Sequence, residues 1–277
     1  MKNKALLGIV VLLALCSCDI NPVKQQEEES HTYQAAPYAS VEIETENGNV
    51  ISAAVPGDTI EVTLTKWATG SSEADAAAHI KDISISITDN ATSGKLRIFV
   101  DIPEDVSRAY GCNVAVLLPP AISVNFVSAN GNLEARGHEA GLILFTSNGA
   151  LTCTATKGRA DLTTSNGDIR AEGHTGDIDA VTQNGFIDAA VVLPDTKGHC
   201  RLKSSNGDIS AAIPASISAG IMLMTSNGTI TVDPALNITA TKNQDSVFEG
   251  TMGKPEEQGD IYCETANGTL SLSRYVP

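Results

Sequence analysis

Apolar and polar residues alternate with period two on both sides of a recurring Asn-Gly pair, the pattern of half-buried β-strands. The pair occurs at Asn47, Asn130, Asn148, Asn166, Asn184, Asn206, Asn227 and Asn267, and from Asn130 to Asn227 the spacings are 18, 18, 18, 22 and 21 residues. Aligned on these asparagines, Leu133, Leu151, Ile169, Ile187, Ile209, Ile230 and Leu270 form one column three residues on. Two residues further on stand Ala135, Cys153, Ala171, Ala189, Ala211, Val232 and Leu272. Four before the Asn come Ile43, Phe126, Leu144, Leu162, Ala180, Leu202, Leu223 and Cys263, and two before it a Thr or Ser in every unit. Each unit thus predicts a strand, a corner at Asn-Gly, a second strand and a Gly-containing turn such as 137–141 or 173–176.

Asn and Gly both tolerate positive φ, so a sharp corner there carries little strain. The same dipeptide is the strongest short signal for a two-residue hairpin, which would make the chain an antiparallel meander. Identical residue types at identical offsets favour stacked parallel coils instead. At a spacing of about 4.8 Å each Asn amide can bond the Asn above and below, and the Thr/Ser hydroxyls can do likewise. Extra residues in long units, such as 190–198, fall outside the aligned strands and leave the columns intact.

The predicted fold is therefore all-β, a parallel β-solenoid over residues 40–277 with coils of 18 to 22 residues. Residues 123–277 supply the Asn-Gly coils, and 40–122 the N-terminal strands and cap. Within the latter, strand-like runs cover 59–65, 83–88, 95–102 and 113–118. Glu73 to Lys81, preceded by Ser71 and Ser72, predicts one short helix that covers the open first coil.

Residues 1–17 have the form of an export signal, with Lys2 and Lys4 before an apolar run from Ala5 to Leu15. Eleven residues of that kind are too few to cross a bilayer core, which takes roughly 20. Leu15-Cys16-Ser17-Cys18 resembles a bacterial lipobox, which makes Cys18 the expected lipid-bearing residue and the lipid the contact with a membrane. Cys16 would put bulky Leu15 at the cleavage point, and a secretory signal without lipid is the further alternative. Residues 19–39, with Glu27, Glu28 and Glu29, read as a flexible tether after Cys18. The expected location is the bacterial cell envelope, periplasmic or surface-exposed.

Charge narrows the partners. Eighteen Lys and Arg against 33 Asp and Glu leave a formal net charge of −15, which disfavours nucleic acid. Aromatic residues are only 4% of the chain, which suits a narrow core of small stacked side chains.

Four cysteines lie beyond the signal: Cys112, Cys153, Cys200 and Cys263. Cys153, Cys200 and Cys263 replace small or aliphatic residues at inward positions, so buried free thiols are expected rather than disulfides. Cys200 and Cys263 are expected in coils separated by another. His138 and His174 share an offset on turns two coils apart, roughly 10 Å, which favours surface histidines over a shared metal; His199 follows Gly198. Asp168 and Asp208 follow Asn-Gly, with Asp161, Asp177, Asp179 and Asp188 on neighbouring turns or strands. They are the candidates for an acid/base pair acting on polysaccharide. Ala150, Phe186, Thr229 and Thr269 interrupt that column, so an unfocused acidic surface is the favoured reading. No cofactor motif occurs.

The Thr-Ser-Asn-Gly-x-Ile-x-Ala pattern, as at 164–171 and with a final Val at 225–232, resembles the DUF4097 family of candidate adhesins built from β-strand repeats. The opening Val41-Glu42-Ile43-Glu44-Thr45-Glu46-Asn47-Gly48, the interruption Phe248-Glu249-Gly250-Thr251-Met252-Gly253 and the closing Asn267-Gly268-Thr269-Leu270-Ser271-Leu272 extend the resemblance over most of 41–277. It implies a single-stranded right-handed β-solenoid or closely related β-helix on exported or membrane-attached proteins, and no catalytic residues. The expected function is non-enzymatic: an envelope lipoprotein presenting a surface to a protein or glycan. A self-assembling structural solenoid and a carbohydrate-active enzyme are the alternatives.

Overall fold

The computed structural model describes residues 22–104, 108–194, 197–254 and 259–276. In chain order its first elements are β1 (Val23–Gln34), β2 (Ser40–Asn47), β3 (Val50–Ala54), β4 (Thr59–Gly70), α1 (Glu73–Ile80), β5 (Ser84–Asn90), β6 (Lys95–Asp101) and β7 (Tyr110–Leu118). The repeats follow as β8 (Ser123–Asn130), β9 (Leu133–Arg136), β10 (Leu142–Asn148), β11 (Leu151–Thr154), β12 (Ala160–Asn166), β13 (Ile169–Thr175), β14 (Ile178–Asn184), β15 (Ile187–Val192), β16 (His199–Asn206) and β17 (Ile209–Ile213). The last are β18 (Ala219–Asn227), β19 (Ile230–Val232), β20 (Thr239–Gln244), β21 (Val247–Met252), β22 (Gly259–Asn267) and β23 (Leu270–Arg274).

The strand before each Asn-Gly joins one sheet and the strand after it joins the other. Sheet A runs β1-β4-β7-β3-β9-β11-β13-β15-β17-β23-β19, and sheet B runs β20-β21-β18-β22-β16-β14-β12-β10-β8-β2-β6-β5. Repeat strands pair in parallel and in register, as in Leu142↔Ala160, Leu144↔Leu162, Thr146↔Thr164 and Asn148↔Asn166. The hairpin alternative is thereby overturned for the Asn-Gly corners. The aligned apolar columns fill the space between the sheets: Leu133, Leu151, Ile169, Ile187, Ile209 and Leu270 are all buried. Bonding between coils lets each unit bury an apolar face that it could not bury alone.

The coils are not stacked in chain order. β22 pairs with β16 and β18 pairs with β22, so the last coil of the chain lies between the two that precede it. At the other end β2 lies between β6 and β8, and β3 between β7 and β9. The first and last Asn-Gly coils therefore each stand second from an end. After β19 the chain passes a 3-10 turn at Pro234–Leu236, with Asn237 left-handed at φ 52°, and β20 and β21 then pair antiparallel beside β18. That hairpin occupies the place a following coil would take, and the chain returns to fill the remaining gap.

Antiparallel ribbons finish the opposite end, where β1 pairs with β4, β4 with β7 and β5 with β6. Residues 23–34, expected within the flexible tether, are instead β1, paired along its length from Val23↔Gly70 to Gln34↔Thr59. An edge strand can be held by backbone bonds with both faces largely polar, so its lack of apolar periodicity concealed it. The expected signal segment, residues 1–17, and Cys18 lie outside the described residues. The predicted helix is α1, capped by the Ser72 side chain accepting from the Asp75 amide, with Ala76 and Ile80 buried. It packs on β4 and β1 at this end of the stack.

Candidate functional site

The Asn-Gly corners are the most regular polar feature of the molecule. Asn130 Nδ2 donates to Asn47 Oδ1 at 2.8 Å, Asn148 to Asn130 at 2.8 Å, Asn166 to Asn148 at 2.9 Å and Asn184 to Asn166 at 2.9 Å. The series continues from Asn206 to Asn184 at 3.0 Å, Asn267 to Asn206 at 2.7 Å and Asn227 to Asn267 at 2.9 Å. The adjacent backbone bonds run the opposite way, as in Gly131 N–H to Asn148 O and Gly149 N–H to Asn166 O, both 3.0 Å. Side-chain and backbone dipoles therefore oppose each other along the corner.

The glycine is required by crowding. A Cβ on Gly167 would lie 1.9 Å from the Gly149 carbonyl oxygen, and one on Gly185 would lie 2.0 Å from that of Gly167. None of the corner asparagines has positive φ, which corrects the expected basis of the turn. The Thr/Ser column also behaves differently from expectation, because its hydroxyls bond glycine carbonyls of the neighbouring coil rather than each other. Thr146 donates to Gly131 O at 3.1 Å, Thr164 to Gly149 O at 3.0 Å and Thr182 to Gly167 O at 2.9 Å. Thr45 faces the β6–β7 unit, which has no Asn-Gly corner, and its buried hydroxyl has no partner.

The acidic column proves to be part of the same corner. Asp168 Oδ1 accepts from the Phe186 amide at 3.1 Å and Asp208 Oδ1 from the Thr269 amide at 2.7 Å. Asn49 and Asn132 make the same bond to the amides of Asn132 and Ala150. This role was missed in the sequence, although the Asn and Asp sharing that offset were its visible signal.

The remaining acidic candidates are dispersed, and three of the four are engaged. Arg159 bonds Asp161 at 2.6 Å and Arg201 bonds Asp179 at 3.2 Å, while Asp177 Oδ1 accepts from the His199 amide at 2.9 Å. The His199 ring bonds Asp260. Asp188 lies on sheet A in register with Arg170, away from the others.

His138 and His174, expected on surface turns, are fully buried. They align with Thr156 at one offset in three successive coils. His174 Nε2 donates to the Asp177 carbonyl at 3.1 Å, so its Nδ1 accepts from the Thr156 hydroxyl at 2.9 Å. Ser52 Oγ donates to Glu134 O and lies 2.9 Å from His138 Nε2, which leaves His138 Nδ1 without a partner. Burial depresses both imidazoles, His138 to about 4. A Gly-flanked turn looks solvent-facing in sequence, but here the turn folds its side chain under the coil.

All four cysteines are buried free thiols, and burial pushes Cys112 and Cys263 up to about 12. Contrary to expectation, Cys200 and Cys263 lie in adjacent coils, because β22 sits directly on β16 with Cys200↔Ile261 and Leu202↔Cys263. That diagonal offset puts their Cα atoms about 8 Å apart, beyond disulfide reach.

Outward positions of sheet B include exposed apolar side chains that the repeat pattern did not single out, with Glu44 and Val127 in register between Phe99 and Phe145. Phe99 and Phe145, 36% and 41% exposed, line an open groove of about 310 Å³ together with Glu44, Glu46 and Asp101, and Ile143, 45% exposed, lies outside it. Among the described residues, no group of three or more His, Cys, Asp or Glu is placed to hold a metal, and no helix is long and apolar enough to cross a membrane.

Residues 37–273 match the family model described as Toastrack DUF4097. The chain belongs to the DUF4097 family. No curated protein matches it in sequence. This DUF4097 chain is similar in structure to a candidate adhesin from Bacteroides fragilis, at 14% identity and TM-score 0.40, covering 89% of this chain and 97% of that one. A candidate adhesin from Parabacteroides distasonis is similar at 10% identity and TM-score 0.40, with the same coverage. A candidate cell adhesion protein from Clostridium sporogenes is similar at 8% identity and TM-score 0.39, covering 91% of this chain and all of that one.

Proposed function

We propose that this DUF4097 chain is a non-catalytic cell-envelope lipoprotein, anchored through Cys18, whose solenoid faces form an interaction surface for a protein or glycan. The observation that carries the reading is the use of the corner carboxylates. Asp168 and Asp208 are each held by a backbone amide of the next coil, as Asn49 and Asn132 are, so their chemistry serves coil stacking. A general acid and base need two groups converging on one substrate position. Here Asp161, Asp179 and Asp177 are paired with arginine or backbone, and Asp188 lies apart from them on the other sheet.

The edges of sheet A are unsuited to self-assembly. β1 at one edge of sheet A carries Glu27, Glu28 and Glu29, a device against edge-to-edge pairing, and the other edge is the three-residue β19.

Cell fractionation, mass spectrometry of the mature N-terminus and surface crosslinking test the reading together. A diacylglyceryl mass on Cys18 and a crosslinked envelope partner are expected. Glycan cleavage by the purified protein, abolished in Asp168→Asn or Asp208→Asn, would overturn it.

A further inference from the structure

We propose that the end of sheet A at Lys24 and Trp67 is a membrane-contacting surface whose partner is the headgroup layer of a phospholipid bilayer. The inference rests on the reading of Cys18 as the anchor. Among the described residues the first strand starts at Val23, and only residues 19–22 of the sequence separate the anchor from this strand, which is hydrogen-bonded into the sheet. Five Cα steps reach at most about 18 Å, and each headgroup layer is about 5–8 Å thick. The Val23 end of β1 is therefore confined to the immediate vicinity of the bilayer.

What lies at that end has interfacial chemistry. Val23 pairs with Gly70 and Gln26 with Trp67, so the single tryptophan of the chain sits level with a residue three positions along β1 from Val23 and eight from Cys18. Ile60, Val62, Leu64 and Ala68 are the core positions of β4, which puts Trp67 on the outward side. Lys24 Nζ lies 4.1 Å from the ring centroid. Gly111 gives the indole its seat, since a Cβ there would lie 2.4 Å from Trp67 Cζ2. Tryptophan concentrates at the boundary of headgroups and acyl chains, and a lysine with an apolar stem places its ammonium among the phosphates.

Charge selects the same orientation. The chain carries a net charge of −15, and Glu27, Glu28 and Glu29 follow Lys24 along β1. At about 3.3 Å per residue they stand roughly 13–20 Å beyond Val23. Trp67, level with Gln26, stands about 10 Å beyond Val23, and Glu27 is only one residue further. With β1 inclined to bring Lys24 and Trp67 to the headgroups, Glu27 lies at the outer side of that layer and Glu28 and Glu29 beyond it.

The sole tryptophan makes the test direct. Full-length protein purified from membranes is reconstituted into phosphatidylcholine vesicles with or without lipids brominated at a shallow acyl position. Trp67 emission is expected to fall about twofold with brominated lipid, as befits an interfacial indole. A Gly/Ser insertion of about 20 residues between 21 and 22 is expected to abolish most of that quenching by lengthening the reach. Protein that carries the Cys18 lipid and floats with the vesicles, yet shows no quenching, overturns the membrane-contact proposal and leaves the anchor standing. Quenching that survives the insertion also overturns it, because contact is then not set by the spacer. Protein with no lipid mass on Cys18 and no flotation overturns the anchor itself, and the contact proposal with it.

Discussion

Asn267 donates its side-chain amide to Asn206 at 2.7 Å, although Asn227 is the next corner in the chain after Asn206. The bond records the exchange of coil order at the C-terminal end, and the Asn47–Asn130 bond, with β6 beyond β2, records its counterpart at the N-terminal end. In a sequentially wound solenoid the terminal coils have one neighbour each and open first. Here the coils nearest the termini have neighbours on both sides.

Deleting residues 259–276 should consequently cost more than one coil. The 219–232 coil loses its platform, because β18 and β19 both pair with the deleted strands. Loss of the cooperative urea transition for at least the C-terminal half is expected, and hydrogen exchange should show 219–252 unprotected. Retained protection there would contradict the observed coil order.

The corner ladder makes a contrast between neighbouring positions. Asn166→Ala removes one side-chain donor and one acceptor at an exposed site where water substitutes, a cost of about 1 kcal/mol. Gly167→Ala drives a Cβ to 1.9 Å from the Gly149 carbonyl oxygen and should cost on the order of 3 kcal/mol or more. Gly57→Ala, with nothing within 4 Å of the new Cβ, should stay within about 0.5 kcal/mol. Urea denaturation of the three variants ranks them.

Buried His138 makes stability depend on pH. Its ordinary value is 6.5 and burial lowers it to about 4 in the folded chain. As pH falls below 6.5 the unfolded chain takes up a proton that the folded chain refuses, so stability is full above 6.5 and declines down to about 4. The loss attributable to His138 is on the order of 3 kcal/mol. His138→Gln should flatten that part of the profile, measured as urea midpoints from pH 7 to 4; an unchanged difference between the two pH values would refute the assignment.

The thiols should be silent until the fold opens. Cys112, Cys153, Cys200 and Cys263 are buried and free, with burial raising all four toward the unreactive protonated form. Iodoacetamide at pH 8 is expected to leave them unlabelled in native protein and to label all four in guanidinium. An oxidised product lacking two hydrogens from the Cys200 and Cys263 peptides would show that the diagonal spacing closes.

The repeating offsets were enough to read the coil from sequence, because inward apolar, corner Asn-Gly and Thr/Ser positions are local chemistry that must recur wherever coils stack in register. Ser71 and Ser72 before the Ala-rich run marked the start of the helix, and the inward offsets marked the burial of Cys153, Cys200 and Cys263. Which coil lies on which was decided only by tertiary structure. Every coil offers the same Asn, Gly and apolar columns to its neighbour, so nothing local distinguishes Asn227 from Asn267 as the partner of Asn206. The antiparallel ribbons at the ends, the strand at 23–34 and the inward turn of His138 and His174 were likewise decided by long-range pairing, since backbone bonds to a distant edge leave no periodicity in the segment that makes them.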